Sequence, residues 1–399
     1  MKLLTTETKN NVLRSMIRIL DDRREVLLEA NRKDLQAFNK EDRAMYDRLI
    51  VDGHKIDGMI RSVREVLEQE DPVHKVISSK TVGEGLEVTN KTAPFGTIMI
   101  IYESRPDVTI EAAVLAFKAN NKILLKGGKE AIHSNEVLAG FWHKALEENQ
   151  LPASWIQLLT LDRNATQEFL KNPPEKLDLI VPRGGERLIA FVKEHATCAV
   201  LVSGRGNNFL YVDEEADWDQ SISVILNAKT DKISACNALD KILVSKKLPG
   251  YEDKLKQLRD ILREKEVTVL VDGEVAKVLS DAETIPSEAV WYEEFLALKC
   301  CIGAVSDVDE AIAKINTYSG GHSAAIMTRE KGTALRFMEQ VDSAAVYHNA
   351  STRFTDGGQM GVGAELAIST DKLHHRGPLG LKELVTNKYY VVGDGHIRV

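Results

Sequence analysis

The apolar spacing of this chain changes once, near residue 97, and that change limits what the chain can fold into. Before it, Val12, Leu13, Met16, Ile17 and Leu20 recur with the period of a helix, and Val63, Val66 and Leu67 repeat the pattern. The first eighty residues are therefore expected to be helices that pack on another layer. Beyond the change come short apolar runs: TIMIIY at 97–102, KILLK at 122–126, WIQLL at 155–159, LDLIV at 177–181 and CAVLV at 198–202. Amphipathic stretches with helical spacing separate them, such as Val137, Leu138, Phe141, Trp142 and Ala145. Strands alternating with helices predict an α/β fold with a doubly wound parallel sheet.

A second alternation follows, through FLYVD at 209–213, KILVS at 241–245, VTVLV at 267–271, CIGAV at 301–305, AAIMT at 324–328 and AAVY at 344–347. Two α/β domains with a cleft between them are expected, separated near the strand-poor SGRGNN at 203–208. A length of 399 residues has room for both. The tail, KYYVVGDGHIRV, has a β pattern and no helix to cover it, so it is expected to pair with another subunit.

Charge and composition exclude several classes. There are 52 Lys and Arg against 60 Asp and Glu, a net charge of −8 that is spread along the chain. Nucleic-acid binding needs a clustered basic face and is not expected. No apolar run approaches the roughly 18–20 residues of a membrane helix. The opening MKLLTTETKNN turns polar after four residues, which predicts a cytoplasmic chain without a signal peptide. Cysteines at 198, 236, 300 and 301 make no CxxC pair, and the adjacent His374 and His375 lack helical metal spacing, so free thiols and no metal are expected.

Cys236 differs from the other three, which lie in strand-like apolar runs where an inert buried thiol is ordinary. It lies in the polar KTDKISACNALDK, near Lys229 and Lys232, and cationic neighbours raise a thiolate fraction. A nucleophile and a structural cysteine both fit these residues. Pro182, Arg183, Gly184 and Gly185 fall between a strand and a helix, which suits a phosphate or a plain turn. Lys126, Gly127, Gly128, Lys129 and Glu130 offer a second such turn, for a ribose, a 2′-phosphate or solvent. In YESRPDVT, Pro106 is expected in the first helical turn with Ser104 or Asp107 as cap. Arg105 there forks onto an anion or lies on the surface. The polar run 348–365 reads as a ligand loop or a mobile surface loop, with Ser351, Thr352 and Arg353 as an anion cluster.

Together IYESRPDVT, LLKGGKEAIHSN, VPRGGERLI, ACNAL, INTYSGGHSAAIMT and NASTRFTDGG through STDKLHHRGPLGL resemble one family over nearly the whole chain: γ-glutamyl phosphate reductase, or glutamate-5-semialdehyde dehydrogenase, of the aldehyde dehydrogenase superfamily. The resemblance implies a Rossmann-like NADPH domain over 1–206, with a hairpin near 80–94 that contributes to oligomerisation, a catalytic domain over 207–365, and a return segment and oligomerisation strand over 366–399. It implies reduction of L-glutamyl 5-phosphate to L-glutamate 5-semialdehyde in proline biosynthesis, a homo-oligomer, and contact with the upstream glutamate kinase.

Carried over by residue, the resemblance makes Cys236 the nucleophile. It attacks the acyl phosphate to leave a thioester that NADPH reduces, with phosphate released. The Cys236 N–H is one oxyanion donor, and Ser104 or Asn237 is the second. Lys126 resembles the lysine that holds the adenosine ribose, with Gly127 and Gly128 in its turn. Pro182, Arg183, Gly184, Gly185 and Glu186 fall on the cofactor phosphate turn, and Glu294 resembles the glutamate on the nicotinamide ribose. The superfamily's general-base glutamate is replaced near Ser203, as suits a thioester shielded from water. Arg105, Ser351, Thr352 and Arg353 are candidate substrate anion binders, and Asp356 an ammonium partner. Asp240, Ala297 and SGRGNN depart from the family's usual Glu, Asp and His-Leu-Asp-Gly-like run, which bears on contacts to the substrate amino group. The rival readings are a thioester-forming aldehyde dehydrogenase with another acyl donor, and a non-catalytic binding homologue.

Overall fold

The computed structural model describes residues 2–39 and 43–398. The helical start is α1 (Thr6–Asp22), α2 (Arg24–Ala37), α3 (Arg43–Leu49) and α4 (Gly53–Glu68). Thr5 starts α1 by accepting the Thr8 N–H at 3.1 Å, and Asp52 starts α4 by accepting that of Lys55 at 2.8 Å. The stripe of Val12, Leu13, Met16, Leu20, Val63 and Val66 is buried against the sheet that follows.

An antiparallel hairpin, β1 (Val76–Val82) and β2 (Leu86–Pro94), leads into β3 (Thr97–Tyr102), α5 (Val108–Lys118), β4 (Lys122–Lys126), α6 (Ile132–Glu148), β5 (Ile156–Leu158), α7 (Arg163–Lys171), β6 (Leu179–Arg183), α8 (Glu186–His195) and β7 (Ala199–Val200). The parallel sheet has the order β5-β4-β3-β6-β7. The centres of β3, β4 and β6 are continuous apolar runs because both faces are covered. Ile98 and Ile100 join the core under the N-terminal helices, while Met99 and Ile101 pack with Leu170 and Val192 of α7 and α8.

The second alternation is β8 (Asn208–Val212), α9 (Trp218–Thr230), β9 (Leu239–Ser245), α10 (Tyr251–Glu264), β10 (Thr268–Val271), α11 (Gly273–Ala276), β11 (Glu283–Thr284), α12 (Ala289–Tyr292), β12 (Lys299–Val305), α13 (Val308–Tyr318), β13 (Ser323–Met327), α14 (Lys331–Gln340) and β14 (Ala345–His348). These strands form a parallel sheet of order β11-β10-β12-β9-β8-β13-β14. Phe209 and Tyr211 face one apolar cluster, Leu210 and Val212 the other. The chain closes with the short pair β15 (Ile368–Ser369) and β16 (Gly377–Pro378), then β17 (Val385–Val392), which runs antiparallel to β2 from Val385 opposite Pro94 to Val392 opposite Glu87.

The chain divides into two compact units, one running through Val202 with Gly361–Ala367 and Leu379 onward, the other Ser203–Met360 with Ile368–Pro378. The tail beyond 365 is thus shared between the units and is not one separate piece. The hairpin begins at Val76, a few residues before the neighbourhood of 80–94 that the family resemblance implies. Residues 153–155 form a 3-10 turn, leaving only Ile156–Leu158 of WIQLL as strand. In CAVLV only Ala199 and Val200 are strand, because this edge pairs with β6 alone, and Cys198 lies half-buried before it. No described helix is long and apolar enough to cross a membrane.

Candidate active site

In the second unit Cys236 is exposed on the turn between α9 and β9. Cys300 and Cys301 are fully buried in β12, where burial pushes their thiols up to about 12 and about 11. Burial also raises the Cys198 thiol. Cys236 is therefore the one exposed thiol of the four.

Its turn is pinned from two sides. The Asn208 amide donates to the carbonyls of Cys236 at 2.8 Å, Gly206 at 2.9 Å and Ala238 at 2.7 Å, while its oxygen accepts the Ser323 N–H at 3.0 Å. A side chain at Gly206 would run into the Cys236 carbonyl, so only glycine permits this approach. On the other side the Thr352 hydroxyl donates to the Asn237 carbonyl at 2.7 Å. The Asn237 amide donates to the carbonyls of Arg353 at 3.2 Å and Thr355 at 3.0 Å, and its oxygen accepts from the Arg353 guanidinium.

These bonds correct the expected roles. Both hydrogens of Asn237 are taken by backbone carbonyls, so in this arrangement its side chain offers no donor to an oxyanion. Thr352 is fully buried on Asn237, and Ser351 Oγ accepts the Arg353 N–H at 3.3 Å. Arg353 also pairs with Asp231 at 3.0 Å, so Ser351, Thr352 and Arg353 brace the turn of Cys236 rather than stand open as an anion cluster. Asp356 and Arg353 line a cavity of about 340 Å³ together with Asn227 and Asp231. Lys229, expected to bias the thiol, is fully buried in a 2.9 Å ion pair with Asp240. Asp240 Oδ2 also accepts the Phe295 N–H at 3.0 Å, so this departure from the family pattern bears on packing and not on a substrate amino group. The turn Glu293–Phe295, which carries Glu294, is held besides by Lys241 Nζ donating to the Glu293 carbonyl at 2.7 Å.

The first unit holds a cavity of about 750 Å³ at the carboxyl ends of β3, β4 and β5, lined among others by Lys126, Gly127, Gly128, Lys129, Arg163, Arg187, Leu188 and Phe191. That is where open α/β sheets bind ligands, and its size is that of a small-molecule site. Four cations and an apolar wall of Leu158, Leu159, Leu161, Leu188 and Phe191 fit the phosphates and the adenine of a dinucleotide. Asn135, fully buried, stands behind Gly127 at its edge, and its amide nitrogen has no hydrogen-bond partner. Burial lowers the Lys126 amine against the pull of Glu130, Glu103 and Asp162.

Ser104 is buried with φ of +40°, a strained backbone for a serine, and Glu130 Oε1 holds it by accepting the Ser104 N–H at 2.7 Å and its hydroxyl at 2.8 Å. Its single hydroxyl proton is spent, so Ser104 is not an oxyanion donor in this arrangement. Nor does it cap α5. Asp107 holds the cap position without a side-chain cap bond, and Pro106 precedes the helix. The Asp107 carboxylate faces Arg105 at 3.2 Å and Lys55 at 3.7 Å. Burial alone would raise its pKa, yet these cations hold it below the usual range. On the PRGG turn, Pro182 and Arg183 end β6, Arg183 donates to the Leu366 carbonyl, and Glu186 opens α8. The Gly185 N–H that the sequence offers to a phosphate is held by Glu103 Oε2 at 3.2 Å, whose carboxylate also fills the space beside Gly184.

The aldehyde dehydrogenase family model matches residues 1–273 and 278–365. The chain belongs to the aldehyde dehydrogenase family. Among aldehyde dehydrogenases it groups with the γ-glutamyl phosphate reductases, and it is an enzyme. It is 42% identical over 401 residues to γ-glutamyl phosphate reductase 2 of Bacillus licheniformis, covering 100% of this chain and 94% of that one. The solved γ-glutamyl phosphate reductase of Thermotoga maritima is 41% identical, with a TM-score of 0.93 over 99% of this chain and 95% of that one. An acetylating aldehyde dehydrogenase of Geobacillus thermoglucosidasius, 17% identical with a TM-score of 0.70 over 99% of this chain and 94% of that one, shares the fold. Glyceraldehyde-3-phosphate dehydrogenase of Methanocaldococcus jannaschii, solved with NADP, is also 17% identical, with a TM-score of 0.68 over 98% of this chain and 91% of that one.

Within this aldehyde dehydrogenase fold, sequence reasoning missed Glu103 as a site residue and the bracing roles of Glu130, Asn207 and Asn208. The paired asparagines inside SGRGNN, fully buried where a strand begins, were the available signal: buried amides at a backbone crossing need several carbonyl partners.

Proposed function

We propose that the enzyme reduces L-glutamyl 5-phosphate to L-glutamate 5-semialdehyde, with NADPH as donor and phosphate as leaving group. The reading rests chiefly on the exposed Cys236 in a pinned turn, beside full-length likeness to proteins named for this reaction. The Cys236 thiolate attacks the acyl carbon, a C–S bond forms, the C–O bond to phosphorus breaks, and inorganic phosphate leaves. NADPH, when bound, would supply a hydride, and the thioester carbonyl on Cys236 then becomes a thiohemiacetal. That adduct loses the cysteine sulfur, which departs as thiolate and leaves the aldehyde. Negative charge gathers on one oxygen in both steps, and the Cys236 backbone N–H answers it. Fixing the carbonyls of Cys236 and Asn237 holds the two peptides that follow this N–H, and so the turn that carries it, before the charge develops.

In the same proposal Lys126 holds the cofactor ribose, Lys129 in its turn suits a 2′-phosphate, the Pro182–Glu186 turn takes the cofactor phosphates once Glu103 yields Gly185, and Glu294 meets the nicotinamide ribose. Asp356 and its cavity take the substrate ammonium. Run backwards, the enzyme should reduce NADP⁺ with glutamate semialdehyde only when phosphate is present. Equal turnover without phosphate would replace this reading with an ordinary aldehyde oxidation. Lys126→Ala should raise the Kd for NADPH by about tenfold, the loss of one charge-assisted contact, and unchanged titration of protein fluorescence by NADPH would remove Lys126 from the cofactor site.

The sheet β1-β2-β17 leaves Val76, Ile77, Tyr389, Val391 and Val392 more than half exposed. We assign this small sheet, which exposes apolar side chains on both faces, to contact with a second copy of the chain. Val391→Asp should then shift sedimentation at micromolar concentration to a smaller species, and a wild-type protein that already sediments as a monomer would refute the assignment.

A further inference from the structure

The strand that leaves the nucleophile's turn is irregular at one residue. Asn208 stands opposite Leu239 and Phe209 opposite Lys241, so Asp240 is an extra residue in β9, a bulge. Successive side chains on a regular strand point to opposite faces. A bulge re-aims them, and bulges occur beside active sites for that reason. Here Asp240 and Lys241, though adjacent, both reach the turn Glu293–Phe295. Asp240 Oδ2 accepts the Phe295 N–H at 3.0 Å, and Lys241 Nζ donates to the Glu293 carbonyl at 2.7 Å and lies 3.8 Å from the centre of the Phe295 ring. The grip is braced behind: Lys229 holds the other Asp240 oxygen at 2.9 Å, and Asn207 Oδ1 accepts from Lys241 at 2.9 Å. The Asn207 amide meanwhile donates to the Trp291 carbonyl at 2.7 Å, at the near end of the same turn. Asp240, Lys241, Lys229 and Asn207 are all at most 2% exposed, so water does not substitute for any of these contacts. Glu294 is the residue enclosed by the two gripped positions.

We propose that Asp240 and Lys241 are positioning residues for Glu294: the bulge in β9 fixes the turn that presents this carboxylate to the cofactor, and ties it to the strand that carries Cys236. The proposal rests on the assignment of Glu294 to the nicotinamide ribose. It explains why two charged side chains are buried side by side just past Cys236 while their hydrogen bonds run to the turn Glu293–Phe295. Their work is on the other loop.

The test is a double-mutant cycle read by direct binding. NADPH affinity is measured by fluorescence titration for wild type, Lys241→Met, Glu294→Gln and the double variant, and the rate of Cys236 alkylation by iodoacetamide is measured without cofactor. Lys241→Met and Glu294→Gln should each raise the Kd about tenfold, and the double variant should be no weaker than the worse single one, because both remove the same contact. Alkylation of Cys236 should stay within about twofold, which a general loss of structure would not allow. Additive losses in the double variant, or an unchanged Kd for Lys241→Met beside a weakened Glu294→Gln, overturn the positioning role alone. A wild-type Kd for Glu294→Gln overturns both the role and the ribose assignment beneath it. Should Lys241→Met not fold, Lys241→Leu removes the same donor with a compact apolar side chain and enters the same cycle with the same criteria.

Discussion

Replacing Cys236 by alanine is expected to lower kcat by on the order of 10⁴ or more while leaving NADPH affinity within about twofold. The covalent route has no substitute within the turn. Asn237 is tied to Arg353 and Thr355, and the remaining three cysteines are either held in β12 or half-buried before β7 with a raised thiol pKa. Iodoacetamide should therefore label wild type at one site and the alanine variant slowly or not at all. A variant that keeps wild-type turnover would end the thioester mechanism, whatever its binding of NADPH.

The second large effect concerns stability. Lys229→Met should cost about 3–5 kcal/mol, because it leaves the Asp240 carboxylate charged, 3% exposed and without its cation. For a unit of this size that corresponds to a melting temperature lower by about 10 °C. Adding Asp240→Asn should recover part of the loss: the buried charge is gone, while an amide oxygen still accepts the Phe295 N–H. If Lys229→Met melts within about 2 °C of wild type in calorimetry, the pair is far better solvated than its burial indicates.

Legibility of the fold followed the physics of burial. Strands covered on both faces are continuous apolar runs, and TIMIIY and KILLK correspond to β3 and β4 residue for residue. The edge strand at 199–200 was over-read because an apolar run says nothing about how many neighbours a strand has. The candidate site was legible to the level of residue and not of role. Cys236 stood out because its surroundings are polar, and the structure exposes it. Thr352 and Arg353 looked like an anion cluster because their partner, Asn237, lies 115 and 116 positions earlier. Ser104 looked free because Glu130, which holds it, is 26 residues away. Polar side chains satisfied by distant backbone leave no periodic trace in the sequence, whereas apolar ones do.

The return of the chain's end to the first unit has a consequence for the order of events during synthesis. Leu366, Leu379, Leu381 and Leu384 belong to the same hydrophobic core as Val12, Leu13 and Ile110, so that core has a gap until almost the whole chain has left the ribosome. Ser203–Met360 is one uninterrupted stretch carrying most of the second unit, and it has its own apolar clusters to collapse around. The part made first is thus the last to be completed, and the nascent amino-terminal half must wait with apolar surface uncovered, the state in which chaperones engage a chain.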